Sequence, residues 1–136
     1  MLSSVSPVDH ARLPDPIADV ADEAQSLAQV LVGVRRYLHR HPEVGMEEHN
    51  TSRFIRETLE GYGLDVHGPI AGTGLYVDIE GEGSGGAVGY RADIDALPTQ
   101  DQKQVPYRSQ TPNVAHLCGH DAHTAIAIGV ALVLHA

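Results

Sequence analysis

The sequence has only one cysteine, Cys118, among its 136 residues. One cysteine cannot form a disulfide within the chain, which favours a reducing, cytoplasmic setting. The first sixteen residues lack a basic start followed by an apolar run, so no secretory signal is expected there. The longest apolar stretch, residues 125–134, is too short to span a bilayer and indicates a buried helix.

Basic residues are also scarce. The chain has 9 lysines and arginines against 18 aspartates and glutamates, giving a formal net charge of −9. Phosphates would be repelled by this balance, so neither nucleic acid nor an anionic membrane surface is expected as a partner. Apolar residues make up 42% of the chain, which at this length is enough for one small domain with a core.

The pattern of apolar residues predicts three helices. Apolar residues recur at steps of three and four from Pro16 to Leu38, which predicts one long helix that ends before Pro42. A second helix is predicted at residues 50–60, followed by glycine stop signals, and a third from near Asp121 to the end.

Alternation of apolar and polar residues predicts strands at residues 74–80 and 87–95, with a further short strand possible at residues 105–107. The intervening GEGSGG (residues 81–86) is not followed by Lys-Ser or Lys-Thr, so it indicates a turn rather than a phosphate-binding loop. The fold class expected from this pattern is α/β. We expect residues 1–14 to be a flexible arm and residues 15–136 to form one domain.

The second predicted strand carries three charged side chains on one face. Arg91, Asp93 and Asp95 lie close to its carboxyl end, where ligands bind in open α/β sheets. A solvent-facing edge strand with ordinary surface charges would show the same pattern. The residues alone leave both interpretations open.

A second cluster stands immediately before the last predicted helix. Cys118 and His120 are two residues apart, and a thiolate with an imidazole suits zinc, cobalt or manganese-like ions. His123 shares a helix face with His120, and Asp121 could either cap the helix or orient a ligand histidine. A structural cysteine among incidental histidines, or a cysteine–histidine nucleophile, remains an alternative.

Three segments occur in the order and spacing of a known family: RRYLHRHPEVGMEE (35–48), YRADIDALP (90–98) and HLCGHDAHTA (116–125). Together they resemble the amino-terminal part of the M20 metallopeptidase family, in the subgroup of hippurate hydrolases, N-acyl-amino-acid amidohydrolases and auxin-conjugate hydrolases. The resemblance covers about residues 25–136.

The resemblance implies an α/β catalytic domain built on a mixed sheet, two divalent ions (zinc, manganese or cobalt) and hydrolysis of the amide bond of N-acyl amino acids. It assigns Cys118 as the ligand that bridges the ions and His120 as a ligand of one of them. Asp95, and less directly Asp93, would hold ligands in place. Asp121 and His123 match the motif without an assigned role. Full-length members carry an inserted dimerisation domain, so a homo-oligomer is implied for them.

The same family takes its general base from a Glu-Glu pair, and further ligands from that pair and from later histidines, all beyond the helix that follows CGHDxH. The only Glu-Glu pair here, Glu47-Glu48, lies in the first motif and receives no role. We therefore expect an amino-terminal fragment with an incomplete site and no general base. A non-catalytic remnant that binds one ion or none is the alternative.

Overall fold

The computed structural model describes residues 16–81 and 85–136. The predicted arm at residues 1–14 lies outside these ranges, as does the middle of the glycine-rich turn. The described elements follow one another along the chain as α1 (Pro16–Ser26), α2 (Ala28–Arg40), α3 (His49–Gly61), β1 (His67–Ile70), β2 (Gly74–Tyr76) and α4 (His120–His135).

The first predicted helix is divided into two. A turn at Leu27 separates α1 from α2, although the amide of Leu31 still donates to the Leu27 carbonyl at 3.0 Å. Just before this turn the Ser26 hydroxyl donates to the carbonyl of Glu23 at 2.7 Å. Such a side-chain bond competes with the backbone ladder, which gives a physical reason for the break. As predicted, α2 ends before Pro42.

The core lies where α2 and α4 pack together, with α3 against them. Its buried members on these three helices include Val34, Leu38, Ile55, Leu59, Ile128 and Leu132. A Cβ atom at Gly129 would lie 2.7 Å from Cδ1 of Leu31, so this glycine allows the two helices to approach closely. The predicted second and third helices correspond to α3 and α4. Both are confirmed, within one residue at each predicted boundary.

The sheet is smaller than predicted. Strands β1 and β2 form an antiparallel pair in which His67 is opposite Tyr76 and Ile70 is opposite Gly74. The predicted strand at residues 74–80 stops at Tyr76, and residues 87–95 have no paired strand in the described part of the chain. A strand is defined by its hydrogen-bonded neighbour, and here the alternating sequence lacks one. The prediction of a possible short strand at residues 105–107 is wrong, since these residues form a turn.

Two short backbone bridges hold the segment between the second predicted strand and α4. The amide of Ala96 donates to the carbonyl of Glu43 at 2.7 Å, which attaches this segment to the loop after α2. Leu97 and Ala115 exchange both of their backbone hydrogen bonds at 3.0 Å. These bridges bring Asp95 and the turn that contains Cys118 to the same end of α4.

Candidate metal centre

The turn before α4 places Cys118 and His120 at the start of that helix. Gly119 lies between them with φ of 101°, in the left-handed region that favours glycine. Its carbonyl accepts from the amides of Ala122 and His123, so the helix begins directly after it. Cys118 is exposed, and the His120 side chain is 18% exposed. Both side chains are thus accessible from solvent at one helix terminus.

His120 is held by Asp95. Its Nδ1 atom donates to the backbone carbonyl and to the carboxylate Oδ1 of Asp95, each at 3.0 Å. Both partners are acceptors only, so the ring proton lies on Nδ1, and Nε2 of the neutral ring carries a lone pair. A carboxylate that fixes one ring nitrogen while the other is presented to a metal is a common arrangement around metal ligands.

Asp93 and His123 are placed differently from Asp95 and His120. The Asp93 carboxylate pairs with Arg91, and its carbonyl accepts from the Thr124 hydroxyl at 3.2 Å, which attaches this segment to α4. His123 is exposed, with its ring centroid 5.8 Å from that of His120. Asp93 therefore lies beside the predicted site without contacting His120.

The donor atoms fit a divalent ion in kind but not in number. A thiolate and an imidazole nitrogen are ordinary zinc ligands, and a catalytic zinc site uses about three protein ligands. Across residues 16–81 and 85–136 no group of three or more thiol, imidazole or carboxylate side chains is arranged to hold an ion. Cys118 and His120 can thus supply only part of a site.

Asp121 faces away from this turn, into the interface of α2 and α4. It is 2% exposed, and its Oδ2 accepts from Nδ1 of His39 at 2.7 Å and from Nε of Arg35 at 2.8 Å. Burial raises its pKa, but the bond from His39 and the charge of Arg35 outweigh that effect, so the net pKa is lowered. Because α4 has no side-chain cap, the first of the two alternatives for Asp121, that it caps the helix, is wrong.

A second buried carboxylate, that of Asp101, lies on the other side of His39. The Nε2 atom of His39 lies 3.4 Å from Oδ2 of Asp101, which is itself 2% exposed. Burial opposes ionisation of Asp101, but the amides of Ser109 and Lys103 donate to its two oxygens at 2.9 and 3.0 Å and lower its pKa to about 2. We call Arg35, His39, Asp101 and Asp121 the buried charge cluster.

His116 lies next to the buried charge cluster. It is 4% exposed, and neither ring nitrogen has a hydrogen-bond partner within the described structure. Burial lowers its pKa to about 4, so the ring is uncharged at neutral pH. Its ring centroid lies 6.3 Å from that of His39. An uncharged imidazole without a hydrogen-bond partner therefore lies beside His39 of the buried charge cluster.

Sequence reasoning missed the buried charge cluster. Arg35 and His39 lie in the first motif of the family resemblance. Their place in that motif was the one signal in the sequence that could have pointed to them. No local spacing connects them to Asp121, which is 82 residues from His39 along the chain. The sequence had grouped Asp121 with its neighbours His120 and His123, whereas its partners lie on α2.

Comparison with known proteins supports the resemblance. The sequence model of peptidase family M20/M25/M40 matches residues 89–136. The chain is 42% identical over 109 residues to an N-acetyl-L-cysteine deacetylase of Bacillus subtilis, covering 80% of this chain and 26% of that protein. It is 36% identical over 133 residues to IAA-amino acid hydrolase ILR1-like 5 of Arabidopsis thaliana, covering 98% of this chain and 30% of that protein.

The fold agrees with these matches. The crystal structure of Bacillus subtilis YXEP, described as a dinuclear metal binding peptidase of family M20, superposes with a TM-score of 0.77 at 39% identity. The overlap covers 82% of this chain and 31% of that one. The expected α/β class is confirmed, and by sequence and fold the chain belongs to the M20 family. It spans about a quarter to a third of the length of these relatives.

Proposed function

We propose that this chain forms the amino-terminal part of a metal-dependent M20 amidohydrolase and supplies two ligands of its dimetal site. Cys118 would bridge two divalent ions, and His120 would bind one of them. The reaction is hydrolysis of the amide bond of an N-acyl amino acid to a carboxylate and an amine. Relatives named as a deacetylase and as an amino acid hydrolase support this reaction class.

The observation that carries the proposal is the contact between Asp95 and His120. Two acceptor atoms 3.0 Å from Nδ1 fix the ring and leave Nε2 for a ligand bond. The exposed thiol of Cys118 lies two residues away on the same turn. A dinuclear relative of the same fold supports two ions rather than one.

The chain's own residues contribute position and charge to this chemistry. Asp95 keeps the proton of His120 on Nδ1, and Asp121 anchors the first turn of α4 to α2 through His39 and Arg35. The ions, when bound, supply Lewis-acid activation of water and of the scissile carbonyl. The general base and the remaining ligands come from residues other than these.

Cobalt titration of the purified chain tests the ligand assignment. We expect weak Co²⁺ binding with near-ultraviolet thiolate-to-cobalt absorption, which Cys118→Ser abolishes and His120→Gln weakens at least about tenfold. His49→Gln, at a side chain that is 65% exposed on α3, is the matched control and leaves binding unchanged. Absorption that persists in Cys118→Ser would contradict the assignment.

The two-donor geometry also favours a second candidate, a remnant that holds one ion without catalysis. Hydrolysis of N-acetyl amino acids by a chimera that joins this chain to the carboxyl-terminal part of the Bacillus subtilis N-acetyl-L-cysteine deacetylase separates the candidates. That part would supply the missing general base, so only the enzyme would turn over substrate when metal is added. Hydrolysis that survives a chelator but is lost on thiol alkylation would instead indicate a cysteine–histidine nucleophile.

A further inference from the structure

The turn between α2 and α3 carries an exposed methionine in an unfavourable backbone conformation. Met46 has φ of 69°, in the left-handed region that residues other than glycine rarely adopt. The residue is 67% exposed, so burial of its own side chain does not offset the cost of this conformation. Strained residues persist only where the surrounding structure fixes them, and they are concentrated at binding and active sites.

Carboxylates on both sides of Met46 fix the turn to the rest of the fold. The Glu43 carboxylate accepts from the amide of Thr51 at 2.7 Å, in the first turn of α3. On the other side, Glu48 is 6% exposed, and its Oε2 accepts from the Thr73 hydroxyl at 2.8 Å. The turn is therefore held at its beginning and at its end, and Met46 is presented to solvent between these two anchors.

The same turn lies against the carboxylate that holds His120. A Cβ atom at Gly45 would lie 3.8 Å from Oδ2 of Asp95. The other carboxylate oxygen of Asp95, Oδ1, lies 3.0 Å from Nδ1 of His120. A backbone bridge between Val44 and Ala96 fixes this approach along the chain. Asp95 thus contacts both the turn that carries Met46 and the proposed metal ligand.

An exposed methionine at this position suits an apolar ligand. Its side chain is flexible and polarisable, so it packs against apolar groups of different shapes, and methionines are frequent on surfaces that bind such groups. The side chains of Asp93, Asp95, His120 and His123 are charged or polar, so they do not select for an alkyl or aryl group. Met46 adds that apolar contact to the edge of the candidate metal centre.

We propose that Met46 contacts an apolar group of the substrate and takes part in selecting it. The group belongs either to the acyl chain or to the side chain of the amino acid, since both place alkyl or aryl carbon beside the amide. This inference rests on the proposed function, because it places the amide of the substrate at the ions held by Cys118 and His120.

Cobalt titration followed by methyl NMR tests the position of Met46 without any turnover. The chain has two methionines, Met1 and Met46, so carbon-13 labelling of their methyl groups gives two signals, which Met46→Leu assigns. We expect Co²⁺ to shift the Met46 signal in a way that diamagnetic Zn²⁺ does not reproduce, because a paramagnetic ion acts on nearby nuclei. Cys118→Ser, which removes the proposed bridging ligand, should abolish this shift.

Substrate selection is measured in the chimera with the carboxyl-terminal part of the Bacillus subtilis N-acetyl-L-cysteine deacetylase. Values of kcat/KM are compared for N-acetylalanine, for N-hexanoylalanine, which lengthens the acyl chain, and for N-acetylphenylalanine, which enlarges the amino acid. Met46→Gln should lower the preference for one of the two apolar substrates over N-acetylalanine at least about tenfold, because it places a polar amide against an apolar group. Met46→Leu, which is apolar and of similar volume, should keep that preference within about threefold.

Two further variants separate binding from stability. Met46→Gly should not lower the thermal midpoint of the chain, because glycine adopts φ of 69° without strain. Val32→Thr, at a residue that is 40% exposed on α2, should leave kcat/KM for all three substrates within about twofold.

Three results would overturn the proposal. A thiolate-to-cobalt band without a cobalt-specific shift at Met46 would place this residue too far from the ions. A preference for both apolar substrates that survives Met46→Gln would show that neither group reaches Met46. A lower thermal midpoint in Met46→Gly would assign Met46 to the stability of the turn. Absence of the cobalt band from the parent chain would instead contradict the proposed function itself.

Discussion

The two sides of the 16-residue helix α4 are covered by other residues to different degrees. Toward α2, it buries Ala125, Ile128 and Leu132, and Asp121 joins the buried charge cluster. Toward residues 74–81 and 88–94, it exposes Leu134 to a cavity of about 960 Å³. The side packed on α2 is therefore expected to determine the stability of the chain, while the open side is expected to contribute little to it.

The largest effect should come from breaking the buried charge cluster. Asp121→Ala removes the acceptor of Nδ1 of His39 and of Nε of Arg35, which leaves one nitrogen of a buried imidazole and a partly buried guanidinium without an acceptor. We expect a loss of about 3 kcal/mol in the free energy of unfolding, measured by urea denaturation. Glu57→Ala, which removes a solvent-exposed partner of Arg53, should cost less than about 0.5 kcal/mol. Equal losses in both variants would show that burial does not strengthen the pairs of Asp121.

Two leucines on α4 compare its sides directly. Leu132 is 5% exposed and Leu134 is 64% exposed. Leu132→Ala should destabilise the chain by about 2–3 kcal/mol, because it removes buried apolar surface and leaves a cavity. Leu134→Ala should change the unfolding free energy by less than about 0.5 kcal/mol. A comparable loss at Leu134 would show that the open side is already covered in solution.

The buried charge cluster also predicts sensitivity to acid. The pKa of Asp101 is lowered from its ordinary 3.8 to about 2, so the unfolded chain binds this proton more readily than the folded one. The stabilisation is complete above pH 3.8 and is lost as the pH falls toward about 2, with a size on the order of 2 kcal/mol. Asp101→Asn should flatten this part of the stability profile, followed by circular dichroism.

The control for acid sensitivity is Asp65→Asn, at a side chain that is 90% exposed. This variant should keep the acid profile of the parent chain. If Asp101→Asn and the parent lose stability in parallel between pH 4 and 2, the carboxylate of Asp101 does not contribute to the acid response.

The smallest effect is expected on the wall of the cavity beside α4, at Tyr90. This side chain is 60% exposed, and its hydroxyl makes no hydrogen bond within the described residues. Tyr90→Ser should alter the thermal midpoint of the chain alone by no more than about a few degrees, since a surface substitution usually changes stability by less than about 0.5 kcal/mol. A large loss would indicate that the wall is packed in the isolated chain.

Local signals explain which parts of the fold could be predicted. Helices α3 and α4 and the end of α2 before Pro42 follow from periodicity and stop signals within a few residues. The strand at residues 87–95 was predicted from a real alternation, and alternate residues there do line the cavity beside α4. Its pairing could not be predicted from that pattern, because a strand also needs a neighbour from a distant part of a chain.

The candidate site could also be predicted only in part from the sequence. Cys118 and His120 could be proposed as ligands because they are two residues apart, and a role for Asp95 followed from the family resemblance. The buried charge cluster joins residues separated by 82 positions, and nothing in the composition of α2 distinguishes the buried His39 from polar residues that are exposed on the same helix. Contacts of this kind depend on how α2 and α4 pack, which the sequence pattern alone does not specify.

Nitrogen-15 NMR of the His120 ring tests the central claim most directly, at a pH where the imidazole is uncharged. We expect the proton on Nδ1, held by Asp95, and an unprotonated Nε2 whose resonance shifts when Zn²⁺ is added. A ring protonated mainly on Nε2, with no response to Zn²⁺, would contradict the arrangement in which Asp95 presents His120 to a divalent ion.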